Sequence, residues 1–141
     1  MKIVRLQTEH VLAVQLQEAQ AFALPMIDIG HARQLVESEG VGWAALDGDD
    51  VIACAGIVQA HAQRGMAWAM FSQRALQQFK LIHRVTRHVL ASAPWRRIEM
   101  TVDARHEAAI TWAERLGFER EGLMRAVTPD GRDCFLYAKV K

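Results

Sequence analysis

Residues 103–137, DARHEAAITWAERLGFEREGLMRAVTPDGRDCFLY, carry the strongest folding signals in the chain. Ala109, Trp112, Ala113 and Leu116 recur at i, i+3, i+4 and i+7, one apolar stripe on a helical period. Asp103 is placed to cap the start of this helix, and Gly117 to take the left-handed position just past its end. Phe118 re-enters the core and a hairpin follows. Its turn is Thr128-Pro129-Asp130-Gly131, in which Pro presets φ, Asp tolerates the turn and Gly takes positive φ. Cys134, Leu136, Ala138 and Val140 then alternate with Phe135 and Tyr137, the period of a strand. Trp112, on the apolar stripe, is expected to be largely buried.

Working outward, Arg97–Asp103 (RIEMTVD) reads as a strand, with Ile98, Met100 and Val102 on one side. Before it lies a long amphipathic stretch from about Gln73 to Ala93, capped by Ser72 and ended by Pro94. Gly65–Phe71 is another strand. Val41–Asp47 and Val51–Ala60 form a hairpin across Gly48-Asp49. The chain opens with a strand over Lys2–Gln7, a buried helix from Thr8 that Pro25 stops, and a short helix over His31–Glu39. The order is β-α-α-β-β-β-α-β-α-β-β.

A helix ending in LGF, then Glu121-Gly122 and a closing hairpin, resembles the C-terminal half of the GNAT superfamily of N-acetyltransferases. The pattern there is roughly N-x-x-A-x-x-L-Y-x-x-x-G-F. His106 stands at the Asn position, Ala109 at the Ala, Trp112 at the Leu, Ala113 at the Tyr, and Gly117-Phe118 at the Gly-Phe. WAERLGFEREGLMR followed by PDG is also similar to small acetyltransferase-fold proteins of phages and prophages, some of them internal virion proteins. The resemblance implies one α/β domain over 1–141, a mixed twisted sheet of about seven strands with helices on both faces. Strands four and five should run parallel, joined by the long helix as a right-handed crossover.

The resemblance also implies acetyl-CoA as coenzyme, held between strand four and the long helix. The superfamily uses a Q/R-x-x-G-x-G/A loop there, whose bare N–H groups meet the pyrophosphate at a helix N-terminus. The equivalent stretch is Ser72–Phe79 (SQRALQQF). Counting from Arg74, Gln77 and Phe79 fall where the glycines should be. The coenzyme-facing candidates are Phe71, Ser72, Arg74, Gln77 and His106. Catalytic residues are not identified. Strand four lacks the carboxylate that often serves as base, Ala113 replaces the Tyr that often serves as acid, and Glu99 and Asp103 are the substitutes at hand. Tyr137, the only tyrosine, reads as a residue at the edge of the core.

Composition bounds the rest. At 141 residues and 51% apolar content, an ordinary buried core is expected. No apolar run reaches the ~18 residues of a membrane helix, and MKIVRLQ lacks a signal-peptide core. Cys54 and Cys134 lie in strands without CxxC spacing and read as reduced, buried thiols in a cytoplasmic protein of the host cell, with virion association implied by the phage resemblance. The six histidines show no ligand spacing, so no metal is expected. Charge is uneven: residues 1–50 hold 3 bases and 8 acids, residues 51–98 hold 7 bases and no acid, and residues 99–141 hold 7 bases and 8 acids. Compensation within the fold plus a solvated helix face explains this most simply. Nucleic acid is not the expected partner at a pI of 7.9.

Two readings of different class follow. One is an acyl-CoA-dependent N-acetyltransferase acting on an amine. The other keeps the fold as a scaffold, a phage structural, assembly or binding protein that works with other phage or host proteins. The replaced glycines, the missing strand-four carboxylate and the missing tyrosine favour the second.

Overall fold

Alternating and continuous apolar runs become seven strands in the computed structural model, which describes residues Met1–Lys141. These are β1 Lys2–Arg5, β2 Gly40–Asp47, β3 Asp50–His61, β4 Arg64–Phe71, β5 Arg97–Asp103, β6 Glu119–Met124 and β7 Cys134–Val140. The helices are α1 Thr8–Ala13, α2 Ile29–Glu37, α3 Phe79–Ser92 and α4 Glu107–Arg115, with 3-10 segments over Glu18–Met26 and Gln73–Gln78. The strands form one sheet in the order β1-β2-β3-β4-β5-β7-β6. The pairs β1–β2, β2–β3, β5–β7 and β6–β7 are antiparallel. β4 and β5 run parallel, pairing Arg64 with Arg97, Gly65 with Ile98 and Met66 with Glu99. The mixed seven-stranded sheet and its parallel pair match the expectation. No helix is long and apolar enough to cross a membrane.

The chain divides into two compact units: residues 1–59 with 67–93, and residues 60–66 with 94–141. In the first, Leu6, Val11, Val14, Ala32, Ala44 and Cys54 form a buried cluster against which Leu16, Ile27, Leu35, Val36, Trp68 and Met70 pack. α2 is capped by Asp28, whose Oδ1 accepts the His31 N–H at 2.8 Å. Cys54 is fully buried and free, and burial pushes its thiol up to about 12.

The first helix departs from the sequence pattern, which runs on to Phe22. α1 stops at Ala13, and Val14 is already extended at φ −66°, ψ 127°. The reason is tertiary. The Gln17 N–H donates to the Phe71 carbonyl of β4 at 2.8 Å, in place of a helical partner. The long helix is also shorter than its pattern. Ser72 caps the 3-10 turn as expected, its Oγ accepting from the Ala75 N–H at 3.3 Å, but α-geometry begins only at Phe79.

In the second unit, Gly117 takes φ +92° after α4 and Gly131 takes φ +82° in the final hairpin, both as predicted. Asp103 does not cap the helix. α4 starts at Glu107 with His106 in the cap position, while Asp103 Oδ1 accepts the Arg105 N–H at 3.0 Å, closing an Asx turn ahead of it. The apolar stripe on α4 is the covered side of the helix: Ala113 and Leu116 are buried and Ala109 and Trp112 are half-buried, while Ala108, Thr111 and Glu114 are exposed. Trp112 stands at the rim of the core and not fully inside it, so truncating it should cost less than truncating a fully buried aromatic. β6 carries a bulge between Arg120 and Gly122, which leaves Glu121 out of the ladder with β7.

Candidate functional site

β4 ends at Phe71 and the chain turns directly into the 3-10 segment Gln73–Gln78. Phe71, Ser72, Arg74 and Gln77 are thus brought together in the first unit, within one short stretch. Phe71 and Ser72 are buried, Arg74 and Gln77 exposed, and Ala75 beneath them is sealed. The Ser72 N–H donates to the Ile52 carbonyl of β3 at 2.9 Å. Backbone groups alternate along a strand, so those of Ala69 and Phe71 leave β4 by its other edge.

That edge is already engaged. Gln20 Nε2 donates to the Ala69 carbonyl at 2.9 Å, and the Phe71 N–H donates to Gln20 Oε1 at 2.9 Å. With the Gln17 N–H on the Phe71 carbonyl, the segment entering Glu18–Met26 pairs with β4 much as a strand would. Sequence reasoning missed both glutamines, because it ran a helix through them. The signal was their polarity: Gln17 is only 9% exposed, which a solvated helix face does not explain. Trp68, also on β4, has a buried indole N–H without a hydrogen-bond partner.

Arg74, the one cation of the stretch, is held by the β2–β3 turn. Its Nη1 lies 2.5 Å from Asp50 Oδ2 and its Nη2 bonds to Asp47. Hydrogen bonding to Asp50 and the charge of Asp47 raise its pKa further above the ordinary range. A phosphate at this position competes with two carboxylates for one guanidinium. No glycine lies in Gln73–Phe79, so the backbone is not bare where a pyrophosphate would press against it. The stretch does not fit a pyrophosphate in the glycine-cradle form.

The second unit holds the remaining candidates. Glu99 on β5 is buried and accepts from Arg97 Nε at 2.7 Å, from Arg64 Nε at 3.0 Å and from Arg64 Nη2. Hydrogen bonding to Arg64 leads the causes that lower its pKa, and burial opposes them. A carboxylate so held is a poor general base. Glu99 is instead the centre of an ion network extended by Arg97 to Glu121, with Nη2 2.6 Å from Oε1. Asp103 is tied as well, its Oδ2 accepting from Arg132 Nη1 at 2.9 Å. Tyr137 is fully buried, with Arg120 and Glu114 on its hydroxyl.

Glu99→Gln is expected to lower stability by about 1–3 kcal/mol at neutral pH, the usual loss for charge-assisted hydrogen bonds to a buried group. The folded pKa lies below the ordinary 4.5, so this contribution is complete above pH 4.5 and fades as pH falls through the folded value. Urea unfolding of both proteins at pH 7 and pH 3 checks it. The gap between them should narrow at the lower pH, and a gap that widened would refute the assignment.

His106 precedes α4 and is half-buried. Burial lowers its pKa below the ordinary 6.5, with Asp103 opposing, so the imidazole is neutral at pH 7 and able to accept a proton. The basic middle of the sequence is partly compensated: Arg64, Arg74 and Arg97 are ion-paired, while Lys80, Arg84 and Arg87 lie exposed along α3. No cluster of His, Cys, Asp or Glu is arranged to hold a metal ion.

No family model matches the sequence, and no curated protein is similar to it. Solved structures are similar over the whole length. An acetyltransferase of the GNAT family from Streptococcus pneumoniae superposes with a TM-score of 0.69 at 15% identity, covering 99% of both chains. The aminoglycoside 6'-N-acetyltransferase from Enterococcus faecium gives 0.69 at 14%, covering 99% of this chain and 97% of that one. A spermidine N-acetyltransferase chimera from Vibrio cholerae gives 0.70 at 11%, covering 99% and 96%. The chain has the fold of GNAT-family acetyltransferases.

Proposed function

We propose that the chain is an acyl-CoA-dependent N-acyltransferase in which the coenzyme lies on the backbone of β4 and the start of the 3-10 segment. In this reading, residues 1–141 act as one domain. The observation that carries the proposal is the end-to-end agreement of the fold with acetyltransferases. Phe71, Ser72, Arg74 and Gln77 would contact the coenzyme, which supplies an activated acyl thioester. The acceptor is an amine, as in the N-acetyltransferases that share the fold. Orientation of the two reactants is the main source of rate.

Without a glycine cradle, and with Arg74 engaged by two carboxylates, affinity is expected in the range of about 10–100 μM. At about 1 mM acetyl-CoA, about ten to a hundred times such a dissociation constant, mass action adds about 1.4–2.7 kcal/mol to stability and raises the melting temperature by several degrees. Arg74→Ala should weaken binding, whereas Asp47→Ala with Asp50→Ala, which frees the guanidinium, should strengthen it. No melting shift in any of these proteins would refute coenzyme binding.

The second reading, a scaffold without catalysis, is favoured by two observations: Glu99 is saturated by two arginines and Tyr137 is sealed in the core. Absence of acetyl-CoA binding would select it. The narrower resemblance to phage virion proteins gains no support from the structural neighbours, which leaves virion association resting on the WAERLGFEREGLMR stretch alone.

A further inference from the structure

We infer that Gln20 is a built-in competitor at the end of β4, a side-chain amide that must leave before an amide-bearing ligand can pair with that edge. Gln20 presents what a peptide group presents. Its Nε2 donates to the Ala69 carbonyl at 2.9 Å and its Oε1 accepts from the Phe71 N–H at 2.9 Å. Gln17 completes the contact, with its N–H on the Phe71 carbonyl at 2.8 Å and its Nε2 on Gln20 Oε1 at 3.2 Å. Three successive polar groups near the end of β4, past the Arg64–Met66 stretch that pairs with β5, are therefore satisfied by one short segment. A ligand amide running along β4 would need the same three groups, and the two cannot share them.

The segment is built to detach. Not one residue of Glu18–Met26 is buried, and Leu24 and Met26 are exposed at 54% and 37%. It is a 3-10 run containing Pro25, a weak form of helix. Its attachment to β4 is polar, and polar attachments exchange readily with water once opened. The core cluster below is anchored on either side, by Val14 before the segment and by Ala32 on α2 after it, so lifting the segment leaves the core intact.

Apparent affinity is the intrinsic affinity multiplied by the fraction of molecules with the edge open. Removing the Gln20 amide should therefore tighten binding of coenzyme A by about tenfold, equivalent to about 1.4 kcal/mol. Gln20→Ala removes both bonds. Gln20→Asn keeps an amide but is one methylene too short to reach, and serves as a milder second variant. The inference rests on the proposed coenzyme reading, and calorimetric titration with coenzyme A separates the two. Amide hydrogen exchange at Phe71 reports whether the edge is closed.

The expected result is a protected Phe71 amide in the parent chain, lost protection in both variants, and about tenfold tighter coenzyme A binding in both. Equal affinity in all three proteins, with protection lost, would overturn the competitor role while coenzyme binding stood. A Phe71 amide that exchanges freely in the parent would overturn it as well. No binding of millimolar coenzyme A to any of the three would refute the coenzyme reading, and the competitor role with it.

Discussion

Tyr137→Ala is expected to lower stability by about 3–5 kcal/mol, the range for truncating a fully buried aromatic. Tyr137 has no exposed surface, and its ring lies edge-on to Phe135 with centroids 6.5 Å apart. Tyr137→Phe isolates the hydroxyl. That oxygen accepts from Arg120 Nε at 3.1 Å and Nη2 at 3.0 Å and donates to Glu114 Oε2 at 3.2 Å. Its loss should lower stability by about 1–2 kcal/mol, because the guanidinium keeps its seat 3.7 Å over the Phe135 ring. Urea unfolding of the two variants separates packing from hydrogen bonding. Under the proposed transferase reading, acetyl transfer in Tyr137→Phe should match the parent, since a hydroxyl sealed between an arginine and a glutamate is not placed to protonate a leaving group. A large fall in transfer with stability unchanged would instead make Tyr137 an acid and overturn its reading as a core residue.

Gly40→Ala should be of similar size for a different reason. Gly40 opens β2 at φ +150°, and a Cβ there would lie 1.9 Å from the Ile57 carbonyl oxygen and 3.0 Å from its carbon. Both atoms are backbone, and Gly40 pairs with Val58 in the β2–β3 ladder, so relief requires the strands to part at that end. A loss of about 3–5 kcal/mol is expected, near the upper end for single substitutions. Gly48→Ala is the control. It also takes positive φ, +61°, but nothing lies within 4 Å of its Cβ, so only backbone strain of about 1–2 kcal/mol applies. If the two substitutions prove equally mild, the close approach at Gly40 is not real.

Both substitutions test parts of the chain whose form was legible in different degrees. The strand at 97–103 was readable to the residue, because Ile98 and Val102 alternate with polar neighbours and Pro94 bounds them. The positive φ of Gly117 and Gly131 was readable too, since only local sterics decide it. Helix ends were less so. The pattern through Val14, Leu16 and Phe22 is helical by itself, yet the open edge of β4, a partner some fifty residues away, takes the Gln17 N–H and the Gln20 amide instead. Hydrophobic period cannot report a backbone group that a distant strand leaves unpaired.

Residue chemistry divides the same way. From sequence alone, Glu99 and Asp103 were carboxylates available for proton transfer, and Arg74 a cation available for phosphate. Only the tertiary structure shows all three already engaged: Glu99 by Arg64 and Arg97, Asp103 by Arg132, Arg74 by Asp47 and Asp50. The glycines missing from Ser72–Phe79 were evident in the sequence, because a Cβ is present or absent whatever the fold. Apart from Arg97, two residues from Glu99 on the same strand, the partners that decide which charges remain free lie 24 to 35 residues distant along the chain and are brought within hydrogen-bonding reach by the fold. Local sterics and period therefore determined the order of elements and the turns, while the sheet alone decided which polar groups were left to meet a ligand.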